Sequence, residues 1–496
     1  MASGAVGPPH DERETALAKA DRRLADDPVD VQALFERANL LRLLNRAGDA
    51  QGAYLRVLAL DHAHEGALNN LATLLHETGY RSAAKTTYGQ AVALHPDRPM
   101  GRVNLGNLLR EEGALADAKA QFEAALTLDP DHAEAHRGLG QALEEMGLPD
   151  EAWPHHERAY RGRAVRALPY RGRGEALTVL TAVSARGGNI PMRFILDQAE
   201  VRQIALVAEF ADPDAPLPEH DVIFNAVGDA DVCHAGLENL DRLLARAERP
   251  VINPPARVLA TGRAGVAETL KGIEGLRVPA MLALPREAWR SATAAEALAE
   301  AGLGFPLLLR ALGFHTGQHF VRLESAQDLQ PGAAVLPGRD LLAIEPLNAQ
   351  GADGLHRKYR VMALGGALFP LHLAISRQWK VHYFTAAMAE DAAFRAEEAA
   401  FLKDMHAALG PAAVSALERA AAALSLDYAG MDFGLDADGK VLLFEANATM
   451  VINPPEPDPM WDYRRPAVAR ALAAAKALVV ERAAQPRSFT GAAPST

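Results

Sequence analysis

The chain has 496 residues, enough for three or more domains with separate cores, and its 49% hydrophobic and 23% charged content is that of a globular protein. A formal charge of −12, with no dominant basic face, excludes a nucleic-acid partner held by its phosphates. The single cysteine, Cys233, excludes an intrachain disulfide and a cysteine-rich metal site; with no signal-like core in residues 1–20 and no apolar run of spanning length, the expectation is a cytoplasmic protein without membrane contact.

Residues 1–10 read as a frayed terminus, and from about Asp11 a repeat governs the chain. Segments starting at Ala33, Ala67 and Gly101 lie 34 residues apart. In that register small residues align at Ala38, Ala72, Gly106 and Gly140, and again at Ala50, Ala84, Ala118 and Ala152. Rings align at Tyr54, Tyr88 and Phe122, with His156 in the fourth copy. Gly79, Gly113 and Gly147 mark turns, and Pro96 and Pro130 end their copies. This pattern resembles the tetratricopeptide repeat, a helix–turn–helix unit of 34 residues. The resemblance implies an all-α solenoid over residues 11–166 whose concave surface recruits a peptide or protein substrate. The other reading is that the array dimerises the protein or braces the next domain.

Residues 159–174 set Arg161, Arg163, Arg166, Arg171 and Arg173 among glycines and a proline, the composition of a solvated linker. From Ala176, short apolar runs at 177–183, 204–210 and 221–227 alternate with Gly/Asp-rich turns and a helical stretch at 235–249, which predicts a small parallel sheet. Gly187, Gly188, Asn225, Gly228 and Asp229 fall at carboxyl ends of these strands, where α/β sheets place ligands; turn chemistry explains them equally well.

Next come a helix start at Arg263, a strand ending in Arg310, a glycine-bracketed loop holding His315, Thr316 and Gly317, and a second strand. A charge closing an apolar strand needs an anionic partner, and the loop offers amides to phosphate or is a plain hairpin turn. A strand from Leu341 leads through Glu345, Leu347 and Asp353 to two strands joined at Gly365-Gly366. Lys358, Arg360, Arg377 and Lys380 on or beside these strands would repel one another without an anion among them. Alanine-rich helices follow at 386–409 and 411–425; after a further hairpin a last helix runs from Arg465 to about Arg482, and 484–496 reads as a disordered tail.

That hairpin, 428–455, is the informative stretch. Asp436-Ala437-Asp438-Gly439 supplies the turn between two apolar strands. A period of two puts Val441, Leu443, Glu445 and Asn447 on one face, and Asp432 is the only acid in the facing strand. Three oxygen donors on rigid strands suit Mg²⁺ with room for phosphate oxygens; the plainer reading is polar groups facing water. Residues 434–440 match GxxxxGK, yet Val441 replaces the hydroxyl residue and the context is strand–turn–strand, so this is not a P-loop.

From Ala176 to Arg482 the chain resembles the ATP-grasp superfamily, on the strength of an acid in a G-x-D strand (Asp432) followed thirteen residues on by E-x-N (Glu445 and Asn447). The resemblance implies an α/β pre-ATP-grasp domain at 176–260 and an α+β ATP-grasp domain at 261–483, with subdomains about 261–343 and 344–483. It further implies ATP as cofactor with two Mg²⁺ ions on Asp432, Glu445 and Asn447. Arg263 and Arg310 stand where phosphate-binding lysines are usual, with His315, Thr316 and Gly317 as the phosphate-covering loop. Glu345 and Leu347 fall at the adenine, Asp353 at the ribose and Lys358 among the nucleotide contacts. Arg360 and Lys380 take the catalytic positions. Gly430 replaces the arginine of the D-alanine ligase branch, which makes that substrate unsuitable. The implied activity is ATP-dependent joining of a carboxylate to an amine, such as an amino acid, through an acyl phosphate. A dipeptide ligase with repeats for dimerisation, and a non-catalytic scaffold on a degenerate ATP-binding domain, are the alternatives.

Overall fold

A computed structural model of the chain describes residues 10–290, 293–311, 319–338, 340–381 and 386–485, the side chains of 263, 264 and 290 apart. Two compact units emerge: Met1–Val179 with Asp197–Phe210, and Leu180–Leu196 with Ala211–Thr496.

The first unit opens with nine helices among the described residues: α1 (His10–Asp26), α2 (Val31–Leu43), α3 (Ala47–Leu60), α4 (Glu65–Glu77), α5 (Arg81–Leu94), α6 (Pro99–Glu111), α7 (Leu115–Leu128), α8 (Ala133–Glu145) and α9 (Pro149–Tyr160). From α2 onward they form helix–turn–helix pairs. Asp30, His64 and His132 cap the first helices of three pairs by accepting from Ala33, Ala67 and Ala135 N–H groups. Gly79, Gly113 and Gly147 take φ of +90°, +78° and +77° at the turns, and Asn45 (φ +58°) serves the same turn in the first pair. The small columns make room for rings. Phe122 lies between two glycines, so a Cβ at Gly106 or Gly138 would stand 2.8 or 2.3 Å from it, and one at Gly140 would stand 2.7 Å from His156.

Beyond α9, β1 (Val165–Ala167) pairs antiparallel with β3 (Arg202–Val207). The chain passes between units within the intervening β2 (Thr178–Val183). Phe210 stacks on Trp153 and Tyr160 with ring centroids 5.2 and 5.6 Å apart. The arginine-rich stretch departs from a solvated linker only at its end: Arg161, Arg163, Arg166 and Arg173 are exposed, but Tyr170 is buried and Arg171 pairs with Glu77 of α4.

In the second unit β4 (Val222–Asn225) and β5 (Val251–Ile252) pair in parallel, with the helix His234–Leu244 between them in sequence. β6 (Leu276–Arg277) joins a later sheet. β7 (Met281–Pro285), β8 (Leu307–Ala311), β9 (Phe320–Leu323) and β10 (Asp340–Ile344) form an antiparallel sheet in the order β7-β10-β8-β9. β11 (His356–Leu364), β12 (Ala367–Ser376), β13 (Tyr428–Leu435) and β14 (Val441–Asn447) form the other, in the order β12-β11-β13-β14-β6. Helices Ala392–Lys403 and Pro411–Leu424 cover one face, where Phe401, Leu417, Met431, Phe433 and Leu443 share a core.

Two local devices set this unit's geometry. Asn253 (φ +54°), in the first of two VINPP segments, accepts on Oδ1 from the N–H groups of Asp427 and Tyr428 and donates Nδ2 to Tyr428 O, all at 2.8–2.9 Å; Asn225 Nδ2 donates to its carbonyl. A buried amide thus ties β4 and β5 to the start of β13. The second device is a β-bulge: Asp432 faces Glu445 and Phe433 faces Leu443, leaving Phe444 as the extra residue. Strict alternation therefore fails. Leu443 and Ala446 enter the core, and Glu445 is re-aimed to the Asp432 face.

Candidate functional site

The bulge completes a row across four strands of the five-stranded sheet. His372 on β12 faces Arg360 on β11, Arg360 faces Asp432 on β13, and Asp432 faces Glu445 on β14. Asp432 is wholly buried. Arg360 donates to it from Nε (2.5 Å to Oδ1) and Nη2 (2.8 Å to Oδ2), and Lys358 Nζ lies 2.6 Å from Oδ2. Burial alone would raise this carboxyl, but Arg360 and Lys358 outweigh it and hold the group well below the usual carboxylate range. Burial, then Arg360, keeps the His372 imidazole well below its ordinary value, so a neutral ring ends the row.

Glu445 and Asn447 open on the other side of this row, into a cleft also lined by Arg310, Asp229, Asp231 and Thr449. Asn447 Nδ2 donates to Glu445 Oε1 at 3.0 Å, and its Oδ1 accepts from Thr449 N and Oγ1 at 3.0 and 2.9 Å. Hard cations take oxygen ligands. Glu445 and Asn447 offer such oxygens at the cleft. Asn447 Oδ1, which accepts two hydrogen bonds, and Asp432, whose oxygens hold Arg360 and Lys358, ligate an ion only by releasing one of those partners. No cluster of three or more His, Cys, Asp or Glu placed to hold a metal occurs among the described residues; the set here is two carboxylates and an amide.

The remaining expected contacts are dispersed. Arg310 sits in β8 and lines the cleft. Arg263 starts the helix Arg263–Leu270, its side chain outside the description, and His315, Thr316 and Gly317 lie outside the described residues. Glu345 is engaged by Arg277 (2.5 Å) and by the Ala280 N–H (3.1 Å), and Leu347 lies half-buried in the loop after β10. Asp353 grips Arg357 with both oxygens at 3.0 and 2.7 Å, and that hydrogen bonding lowers its carboxyl to about 2. Lys380 stands 5.7 Å over the Phe320 ring, and Arg377 reaches Asp391 at 3.8 Å. The four cations expected to converge therefore do not: Lys358 and Arg360 share Asp432, and the other two turn elsewhere. Asp231 and His372 were not among the sequence candidates. Asp231 precedes no strand pattern, and His372 is recognisable only once β11 and β12 are in register.

The family described as TPR repeat matches residues 106–147, from within α6 through α7 and α8. The N-terminal helices are therefore a tetratricopeptide-type array, followed by a mixed α/β region. Among solved structures, a MamA protein is 22% identical over 30% of this chain and 81% of its own, with a TM-score of 0.27. MamA from Desulfovibrio magneticus RS-1 is 18% identical over 31% and 95%, with a TM-score of 0.26. YrrB, described as a TPR protein with an unusual peptide-binding site, is 25% identical over 30% and 77%, with a TM-score of 0.26. No curated protein matches the sequence. No helix among the described residues is long and apolar enough to cross a membrane.

Proposed function

We propose that the α/β region is an ATP-dependent carboxylate–amine ligase and that the repeat array presents one substrate as a peptide or protein. The observation that carries this is the Arg360–Asp432–Glu445 row, with Asn447 and Arg310 at the adjoining cleft. Magnesium, when bound, would neutralise the phosphates of ATP and favour transfer of the terminal phosphoryl group to a carboxylate. Glu445 and Asn447 would hold the ion, with Asp432 joining them if Lys358 swings toward a phosphate. Arg310 would hold phosphate oxygens. Arg360, kept charged and fixed by Asp432, would stabilise the oxyanion that forms when the amine attacks the acyl phosphate. Proteins built on repeats of this kind use extended surfaces to hold partners, which supports peptide recruitment. Screening amino acids and peptides for ATP-dependent mass gain tests the reading: amide product that requires Glu445 upholds it, and nucleotide binding without product defeats it.

The full neutralisation of Asp432 by two cations favours a second reading, a scaffold that binds nucleotide without turning it over. In that case Lys358 stays on Asp432 when ATP and Mg²⁺ are added.

A further inference from the structure

Helix α1 carries a buried cation with unusual partners. Arg13 is 2% exposed, and no carboxylate among the described residues lies within ion-pair distance of it. Its guanidinium donates to main-chain carbonyls: Leu43 O at the end of α2 (3.3 Å) and Tyr170 O (2.6 Å). A buried charge without a counter-ion is costly, so a site built this way is shaped around a backbone carbonyl that a second segment brings.

That segment is Tyr170-Arg171-Gly172-Arg173, 157 residues away from Arg13 in sequence. Arg171 Nη2 reaches Glu77 Oε1 at the end of α4 (3.1 Å), an oxygen that also receives Arg42 Nη1 from α2 (3.3 Å). The Arg42–Glu77 pair is the first of three rungs linking the last turns of successive first helices; His76–Glu111 and Arg110–Glu145 are the others. Arg173 Nε donates to His10 Nε2 (3.0 Å), and the Arg202 guanidinium lies 5.3 Å over the Tyr170 ring. A side chain at Gly172 is excluded, because its Cβ would stand 2.1 Å from Ala199 O. Each position of the segment is thus read: a carbonyl and ring at Tyr170, a charge at Arg171, a bare backbone at Gly172 and an N–H donor at Arg173.

We propose that the ends of α1, α2 and α4, together with Ala199 and Arg202 at the start of β3, form a docking site for an extended basic peptide of pattern aromatic–Arg–Gly–Arg, occupied in cis by Tyr170–Arg173 and offered to a partner protein bearing that pattern when the segment lifts. The idea rests on the array half of the proposed function, and its test reads binding without nucleotide, so it fails or stands apart from the catalysis. A tethered segment competes at an effective concentration near the millimolar range, which masks a site of tens of micromolar affinity about ten- to hundredfold.

The test uses the full chain and a fluorescent peptide copying residues 166–175, read by anisotropy. The Tyr170→Ala/Arg171→Ala variant is expected to bind the peptide about ten- to hundredfold more tightly than the wild type does. Adding Glu77→Arg should abolish binding, and a peptide with Glu in place of its first-motif Arg171 should restore it. Equal binding by wild type and the released variant, or binding that survives Glu77→Arg, overturns the proposal. Dimerisation of the released variant without peptide binding would assign the site to a second copy of the chain and also overturn it. A measurement on the wild type guards against a misfolded variant. Saturating peptide should speed hydrogen exchange at the Arg171 amide, which now donates to Gln198 O at 2.8 Å; unchanged exchange counts against the site.

Discussion

Arg360 and Asp432, 72 residues apart in sequence, face each other across β11 and β13 and form a two-point ion pair inside the sheet. Removing one partner of such a pair strands the other charge in a dry environment. Asp432→Asn is therefore expected to destabilise the second unit by about 3–5 kcal/mol, measured by urea unfolding. The pH dependence has a definite sign. The folded carboxyl is held below its unfolded value, so its contribution is complete above about pH 4 and is lost as pH falls toward the folded value. In Asp432→Asn that acid-side slope should be shallower than in the wild type; an unchanged slope would mean that the pair contributes nothing.

The two VINPP segments predict opposite outcomes for the same substitution. The Asn253 side chain satisfies three main-chain groups in a buried position, and Asn253→Ala leaves all three unpaired, at a cost of about 3 kcal/mol or more. Asn453 is exposed, and Asn453→Ala should stay within about 0.5 kcal/mol of the wild type. Parallel denaturation curves for the two variants check the contrast, and equal losses would refute it.

Gly138 does not belong to the repeating column of small residues, yet it packs more tightly against Phe122 than Gly106 does. Gly138→Ala should lower array stability by about 1–3 kcal/mol through overpacking, and Phe122→Leu should recover part of that loss. Thermal unfolding followed by circular dichroism at the helix band reads both. Gly138→Ala with unchanged unfolding would show that the ring moves aside freely.

What the sequence disclosed follows the range of the forces involved. The array was legible because each repeat restates the same local pattern, down to the turn glycines. The hairpin around Asp436–Gly439 was legible because turn chemistry and a period of two are both local. The bulge at Phe444 was not, since it exists only in the register of β14 against β13, and it moved Glu445 to the face opposite Leu443. Arg171 has the sequence context of a solvated linker charge because its partner, Glu77, lies 94 residues away. In the same way the cations near Trp379 looked convergent by sequence, whereas strand pairing sends Lys358 and Arg360 to Asp432 and leaves Lys380 over Phe320.

The central claim is that the cleft beside Glu445 and Asn447 carries out ATP-dependent ligation. Its most direct test is phosphate release from ATP and Mg²⁺ by the full chain, in the presence of pooled amino acids and peptides, compared with Glu445→Gln and Asn447→Ala. The account predicts release that depends on magnesium and on an added carboxylate or amine, reduced at least about a hundredfold in Glu445→Gln while ATP binding persists. Phosphate release that is absent from the wild type under every substrate pool, or equal in wild type and Glu445→Gln, would contradict it.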